Sequence, residues 1–228
     1  MPAMPTITFI FLEASIEPIP KSIINHPIIL KDSKRRKRPP SEILLDDSKH
    51  HAAMKDLENC RKRGRPDIIH FCLLSVFDSQ LGELSDVYVH TIDGKIIKFS
   101  KGLRLPRNYN RFVGLMEQLL KERKIESGGK TLIEIKDYDL KSTLRSIDPS
   151  QTLFLTEKGR KIDDLKINVN SRNAILIGAF PHGDFDHKVL EVIKNFNPVY
   201  VSLGSKSFTS LYVTNRVICL LEDLFDIT

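Results

Sequence analysis

Apolar residues come along this chain in short blocks, and nearly every block ends at a proline, a glycine or a run of charge. Residues 7–15 are β-branched and aromatic, which predicts a buried first strand, closed by Pro18 and Pro20. Residues 21–31 predict a short helix that Pro27 interrupts. Residues 47–57 predict another, capped by Asp47 or Ser48. Residues 68–77 are almost continuously apolar, the pattern of a strand buried on both faces of a parallel sheet. Residues 87–92 and 95–99 flank Asp93-Gly94, a two-residue hairpin signal. Phe112, Leu115, Met116 and Leu119 fall at helical spacing and predict a helix over 108–124, stopped by Ser127-Gly-Gly129. The second half turns rhythmic. Strands are predicted at 152–155, 174–177 and 199–203, and amphipathic segments follow the last two at 186–196 and 209–225. This alternation predicts an α/β fold with a mostly parallel sheet.

Composition narrows the partners. Of 228 residues, 41% are hydrophobic and 28% charged, which excludes wholesale disorder. That length suits one large domain, or one domain with an elaboration. Lys and Arg number 35 against 29 Asp and Glu, a net charge of +6. The excess is clustered in Lys34-Arg-Arg-Lys-Arg38 and Arg61-Lys-Arg-Gly-Arg65, so phosphate-rich partners are indicated. The first run is expected to stay unpacked, as a solvated loop, a localisation-like tract or a contact to an RNA backbone. Three cysteines with no CxxC fit a reducing compartment rather than a disulfide framework or zinc. The apolar run at 7–12 falls far short of the ~20 residues that span a bilayer, and no signal-peptide pattern accompanies it. The sequence therefore predicts a soluble cytoplasmic protein, nucleolar if its source is eukaryotic, with no membrane partner.

Candidate chemistry gathers in three places. Gly178, Gly183 and Gly204 follow predicted strands, where ligands of open α/β sheets bind, although tight turns would use the same residues. Neither GxGxxG nor GxxxxGK[ST] is present. Arg104, Arg107 and Arg111 share one face across a helix start, where the helix dipole disfavours cations, so an anionic partner would offset the placement. A solvated basic face is the alternative. Arg65 precedes Asp67 by two residues, close enough for the carboxylate to steady the guanidinium, to act as a base, or simply to form a surface ion pair. The histidines are scattered, His182 and His187 included, without metal-ligand spacing; core or surface places are expected for them and no metal. Cys72 and Cys219 read as inert buried thiols. Tyr88, Tyr109 and Phe112 could stack on bases, although Phe112 also fits the core.

Three blocks then stand out together: Arg63-Gly-Arg-Pro-Asp-Ile-Ile-His-Phe-Cys-Leu-Leu74, Arg104-Leu-Pro-Arg-Asn-Tyr-Asn-Arg-Phe-Val-Gly-Leu-Met116 and Gly178-Ala-Phe-Pro-His-Gly-Asp-Phe185. They resemble the ribosome-biogenesis pseudouridine-N1 methyltransferases of the SPOUT superfamily, from the first strand to the final helix. The resemblance implies a single SPOUT domain over 1–228, with a mostly parallel sheet, a C-terminal deep trefoil knot and a β-hairpin extension at about 85–100. It implies a homodimer that binds S-adenosylmethionine and methylates a pseudouridine in a single-stranded loop of small-subunit ribosomal RNA. Ribosomal proteins are further candidate partners.

Carried over by position, Leu155, Thr156, Gly178, Gly183, Val201, Ser202, Leu203, Gly204 and Ser205 should contact the cofactor. Arg65, Arg104, Arg107 and Arg111 should grip the RNA. Asp67 and Arg65 are the catalytic candidates, with Asp67 steadying Arg65. The segment 202–207 is a variable part of the family pattern. Carbon-5 methylation of a pyrimidine needs an activated thiol, whereas the free ring nitrogen of pseudouridine needs mainly alignment and electrostatics. The alternative is a ribosome-assembly factor that binds RNA without catalysis.

Overall fold

The computed structural model describes residues 6–162, 167–168 and 170–226. Its spine is an eight-stranded sheet in the order β4-β5-β3-β2-β1-β7-β6-β8. β1 (Thr6–Ala14) lies between β2 (Ser85–Thr91) and β7 (Arg172–Gly178), parallel to both. β6 (Gln151–Lys161) and β8 (Val199–Ser202) continue the parallel part beyond β7. On the other side β3 (Ile96–Phe99), β5 (Lys130–Lys136) and β4 (Lys124–Ser127) add antiparallel strands. β2 and β3 pair antiparallel around Asp93-Gly94, where Gly94 takes φ 84°.

Successive residues of β1 face opposite ways, as the pleat demands. Phe9 and Phe11 enter a core with Ile69, Leu73, Phe112, Met116 and Ile218. Ile10 and Leu12 enter a second core with Leu140, Leu144, Val189 and Ile193. The sheet therefore carries α3 (Pro66–Asp78), α4 (Tyr109–Glu122) and α7 (Ser210–Leu224) on one face. The opposite face carries α5 (Leu140–Ile147) and α6 (His187–Lys194). A satellite cluster of Ile19, Ile29, Ile43, Leu45, Met54 and Leu57 holds α1 (Pro27–Arg36) and α2 (Asp47–Met54) beside this frame.

Several expectations are corrected. Residues 68–77 are helix, not strand. Pro66 sits in its first turn with Asp67 beside it, an arrangement that starts helices, and β1 and β2, being parallel, need a crossover between them. The apolar run reflects a helix pressed between the sheet and α7. Pro27 opens α1 rather than interrupting it, because a first-turn proline forfeits no hydrogen bond. The cap of α2 is Asp46, one residue earlier than expected. α4 ends at Arg123, which is left-handed at φ 67°, and Gly128-Gly129 turns a hairpin between β4 and β5 that the sequence pattern did not reveal.

The basic run 34–38 is not wholly solvated. Arg36 donates to both carboxylate oxygens of Glu117 at 2.7 and 2.6 Å, and Arg38 to one at 2.9 Å. Glu117 is buried and also accepts the amide of Leu44 at 3.0 Å. That single carboxylate ties the satellite cluster to α4.

Candidate active site

The carboxyl ends of β6, β7 and β8 surround a cavity of ≈ 540 Å³. Leu155 and Thr156 line it from β6, Gly178 from β7, Gly183 from the following loop, and Val201, Ser202 and Leu203 from β8 and beyond. Gly204 and Ser205, expected beside them, do not line it. They belong to a turn closed on Ser202, whose hydroxyl donates to the Gly204 carbonyl at 2.7 Å and accepts its amide at 3.2 Å. At Gly178 a Cβ would fall 2.9 Å from the Phe185 ring and 3.2 Å from Phe180, so any larger residue must push these rings aside. Both Leu155 and Arg160 pair with Val201, so β6 bulges away from β8 at residues 156–159, and Thr156, Glu157 and Lys158 of this bulge line the cavity.

A second cavity of ≈ 350 Å³ adjoins the first and shares Pro181 and His182 with it. Its wall carries His51, Lys55, Arg61, Arg63 and Arg65, with Asp47 as its one carboxylate among the described residues. Arg65 is held by Asp67 through two bonds, Nε to Oδ1 at 2.8 Å and Nη2 to Oδ2 at 2.7 Å. The hydrogen bonds Arg65 donates to Asp67 raise the guanidinium pKa further, so its charge is fixed. Such a bidentate pair commits both Asp67 oxygens to holding Arg65 in place.

Arg104, Arg107 and Arg111 line neither cavity and are exposed on the loop and first turn of α4. Arg107 pairs with Asp78 at 3.0 Å. Their loop is pinned from beneath by His70, whose Nε2 lies 2.7 Å from the Pro106 carbonyl oxygen and whose ring stacks on Phe112 at 4.2 Å. Burial lowers the His70 pKa, which keeps the ring neutral for that role. Of the stacking candidates, Phe112 is core at 0% exposure and Tyr88 is also buried. Tyr109 donates its hydroxyl to Asp46 at 3.0 Å.

Residues 9–222 match the family described as EMG1/NEP1 methyltransferase. The chain belongs to the EMG1/NEP1 methyltransferase family. It is 52% identical over 214 residues to the ribosomal RNA small subunit methyltransferase Nep1 of Archaeoglobus fulgidus, covering 94% of each chain. Identity to the protein of that name from Saccharolobus solfataricus is 46% over 190 residues, 82% of this chain and 85% of that one. The fold is similar to the crystal structure of Archaeoglobus fulgidus Nep1 bound to S-adenosylhomocysteine. The TM-score is 0.86 at 49% identity, over 95% of this chain and 97% of that chain.

For this member of the EMG1/NEP1 family the thiols sort unequally. Cys72 is a helix residue, not a strand residue; its burial pushes the pKa up to about 12, so it is inert. Cys219 is exposed on α7, which corrects the expectation that it is buried. Cys60 lines the second cavity.

Sequence reasoning missed Glu13 and Lys62. Glu13 is 4% exposed and stands at φ 55° at the end of β1. Both its carboxylate oxygens lie 3.3 Å from the Lys62 ammonium, and both accept the Asp186 amide, at 3.1 and 3.2 Å. Burial raises the Glu13 pKa and Lys62 opposes that rise. The sign of a pair was hidden because Lys62 sits inside a basic cluster that reads as surface.

Proposed function

We propose that this chain transfers the methyl group of S-adenosylmethionine to N1 of a pseudouridine in small-subunit ribosomal RNA. One observation carries the reading: a ligand-sized cavity at the strand ends shares a wall with a cationic cavity that holds Arg65. The first suits the donor. Leu155, Val201 and Leu203 offer apolar surface for a purine, while Glu157 and Asp184 offer acceptors for ribose hydroxyls. The donor supplies an electrophilic methyl on a positively charged sulfur. The second cavity suits a flipped nucleoside whose ring becomes anionic as its N1 proton leaves. Arg104, Arg107 and Arg111 then serve the flanking RNA backbone.

The reading extends to assembly and topology. Phe71 on α3 and Leu211 and Tyr212 on α7 are 48%, 36% and 44% exposed, an apolar face that a second copy of this chain would cover. The C-terminal chain forms the deep knot of the SPOUT fold.

The test offers the purified protein labelled S-adenosylmethionine with matched stem-loops bearing uridine or pseudouridine, followed by nucleoside analysis of the product. Label only on the pseudouridine RNA, as the N1-methyl product, is expected. A carbon-methylated product would implicate Cys60 instead. Tight RNA binding without transfer would mark a non-catalytic assembly factor.

A further inference from the structure

The N1 nitrogen of pseudouridine becomes a nucleophile only when its proton departs, so some group must receive that proton where acceptor and donor meet. We propose that His182 is this base, and that the buried Glu13–Lys62 pair aims it; the inference rests on the reaction proposed above. Among the described residues, Pro181 and His182 alone line both cavities, and proline cannot titrate. His182 is exposed and makes no hydrogen bond or ion pair among the described residues, so a ring nitrogen is open to substrate.

The other charged groups around the two cavities are engaged, cationic or confined to one of them. Glu157 accepts the Ser207 hydroxyl at 2.8 Å, and Asp184, Lys158 and Lys206 line the donor cavity only. His51 is paired with Asp47 at 2.7 Å, and both, with Lys55, Arg61, Arg63 and Arg65, line the cationic cavity only. Arg63 is committed to Glu17 and Arg65 to Asp67. Imidazole is also the side chain whose ordinary titration falls in the neutral range, which suits a general base.

The loop carrying His182 is built to hold it. Lys62 Nζ lies 4.4 Å from the centre of the Phe180 ring on one side of the histidine. Glu13 takes the Asp186 amide on the other. Gly183 turns at φ 98°, a conformation that favours glycine, directly after His182. Phe185 packs edge-on against Phe154 at 4.8 Å and Phe180 at 5.1 Å. Lys62 therefore fixes the loop while its neighbours Arg61 and Arg63 face the substrate cavity.

In the step itself the N1–H bond breaks and its proton passes to an imidazole nitrogen of His182. The N1 electron pair forms the bond to the methyl carbon as the carbon–sulfur bond breaks, its pair remaining on sulfur. The imidazolium then returns the proton to water.

The experiment uses His182→Gln. Turnover should fall about 100-fold or more. Affinity for S-adenosylhomocysteine by calorimetry, and for the pseudouridine stem-loop, should stay within about threefold of wild type. Added imidazole should restore part of the rate, and the acid limb of the wild-type pH profile should vanish. Lys62→Met should lower turnover yet keep that limb, and Lys62→Arg should recover much of the loss. Undiminished turnover in His182→Gln with its acid limb intact overturns the proposal, as does a loss explained by abolished cofactor binding. A folded Lys62→Met of full activity overturns the aiming role. If the wild-type protein itself fails to label the pseudouridine RNA, the reaction assignment is at fault; an active wild type with an equally active His182→Gln refutes only the base.

Discussion

Replacing Glu117 by alanine should be among the most damaging single changes to this fold outside the central core. The carboxylate is 1% exposed, while Arg36 is 24% and Arg38 47% exposed. Removing one partner of a buried ion pair costs about 3–5 kcal/mol, because the remaining charge loses its compensation. Water reaches both arginines here, so the lower half of that range applies to them together. The Leu44 amide also loses its acceptor, worth about 1–3 kcal/mol when buried. A total of about 4–7 kcal/mol follows, or roughly 10–25 °C in melting temperature for a domain of this size. Urea unfolding measures it directly, and the denaturant slope should hardly change. Hydrogen exchange should rise first at residues 43–45, where the satellite loses its anchor, while β1 and β7 stay protected. Glu117→Gln, which still accepts from Leu44, should lose about half as much. A loss below about 1 kcal/mol in Glu117→Ala would refute the claim that this carboxylate joins the two parts.

Other measurements probe the remaining parts. Burial lowers the His90 pKa from 6.5 to about 4, and its Nδ1 accepts the Glu13 amide. The unfolded chain therefore binds the extra proton between those values, so the stabilisation is complete above pH 6.5 and lost as pH falls toward 4. It amounts to about 3 kcal/mol at most. Glu13, its pKa raised, acts in the opposite sense, so the difference in unfolding free energy between wild type and His90→Gln across pH 4–7 isolates the histidine. Gly178→Ala should weaken S-adenosylhomocysteine binding about tenfold with little loss of melting temperature, because the added methyl displaces Phe185 and Phe180; unchanged calorimetric affinity would remove that argument. Asp67→Asn should weaken stem-loop binding several-fold through a loosened Arg65, leaving cofactor affinity unaltered; a drop in cofactor affinity would show that Asp67 serves the other cavity.

Much of the sheet was legible because its strands carry local signals. β1, β6, β7 and β8 are apolar runs ending at prolines, glycines or polar loops, and Asp93-Gly94 names its own turn. α3 was not legible, since a helix buried on most sides loses the polar face that reveals its period. The β4–β5 hairpin was missed because its strands are short and largely charged, with little apolar alternation to read. The expected cofactor-side positions followed from family blocks and strand ends; in the structure Gly178 and Gly183 line one cavity with Leu155 and Val201. Gly204 and Ser205 fall outside it because Ser202 folds the chain back onto itself. Buried pairing of Lys62, Arg63 and Arg36 could not be foreseen, because each acidic partner lies 46 or more positions away in sequence.

The two rims of the sheet bear on how copies of this molecule can meet. β4 presents Lys124 and Glu126, paired with each other at 3.0 Å, and β8 is only four residues long. A charged border and a short one both discourage strand addition from a neighbour. A pair of copies of the kind proposed above would therefore meet through the helical layers rather than by cross-β growth. Substitutions that alter stoichiometry should therefore map to α3 and α7, while stripping the charges from β4 should instead promote fibrous aggregation.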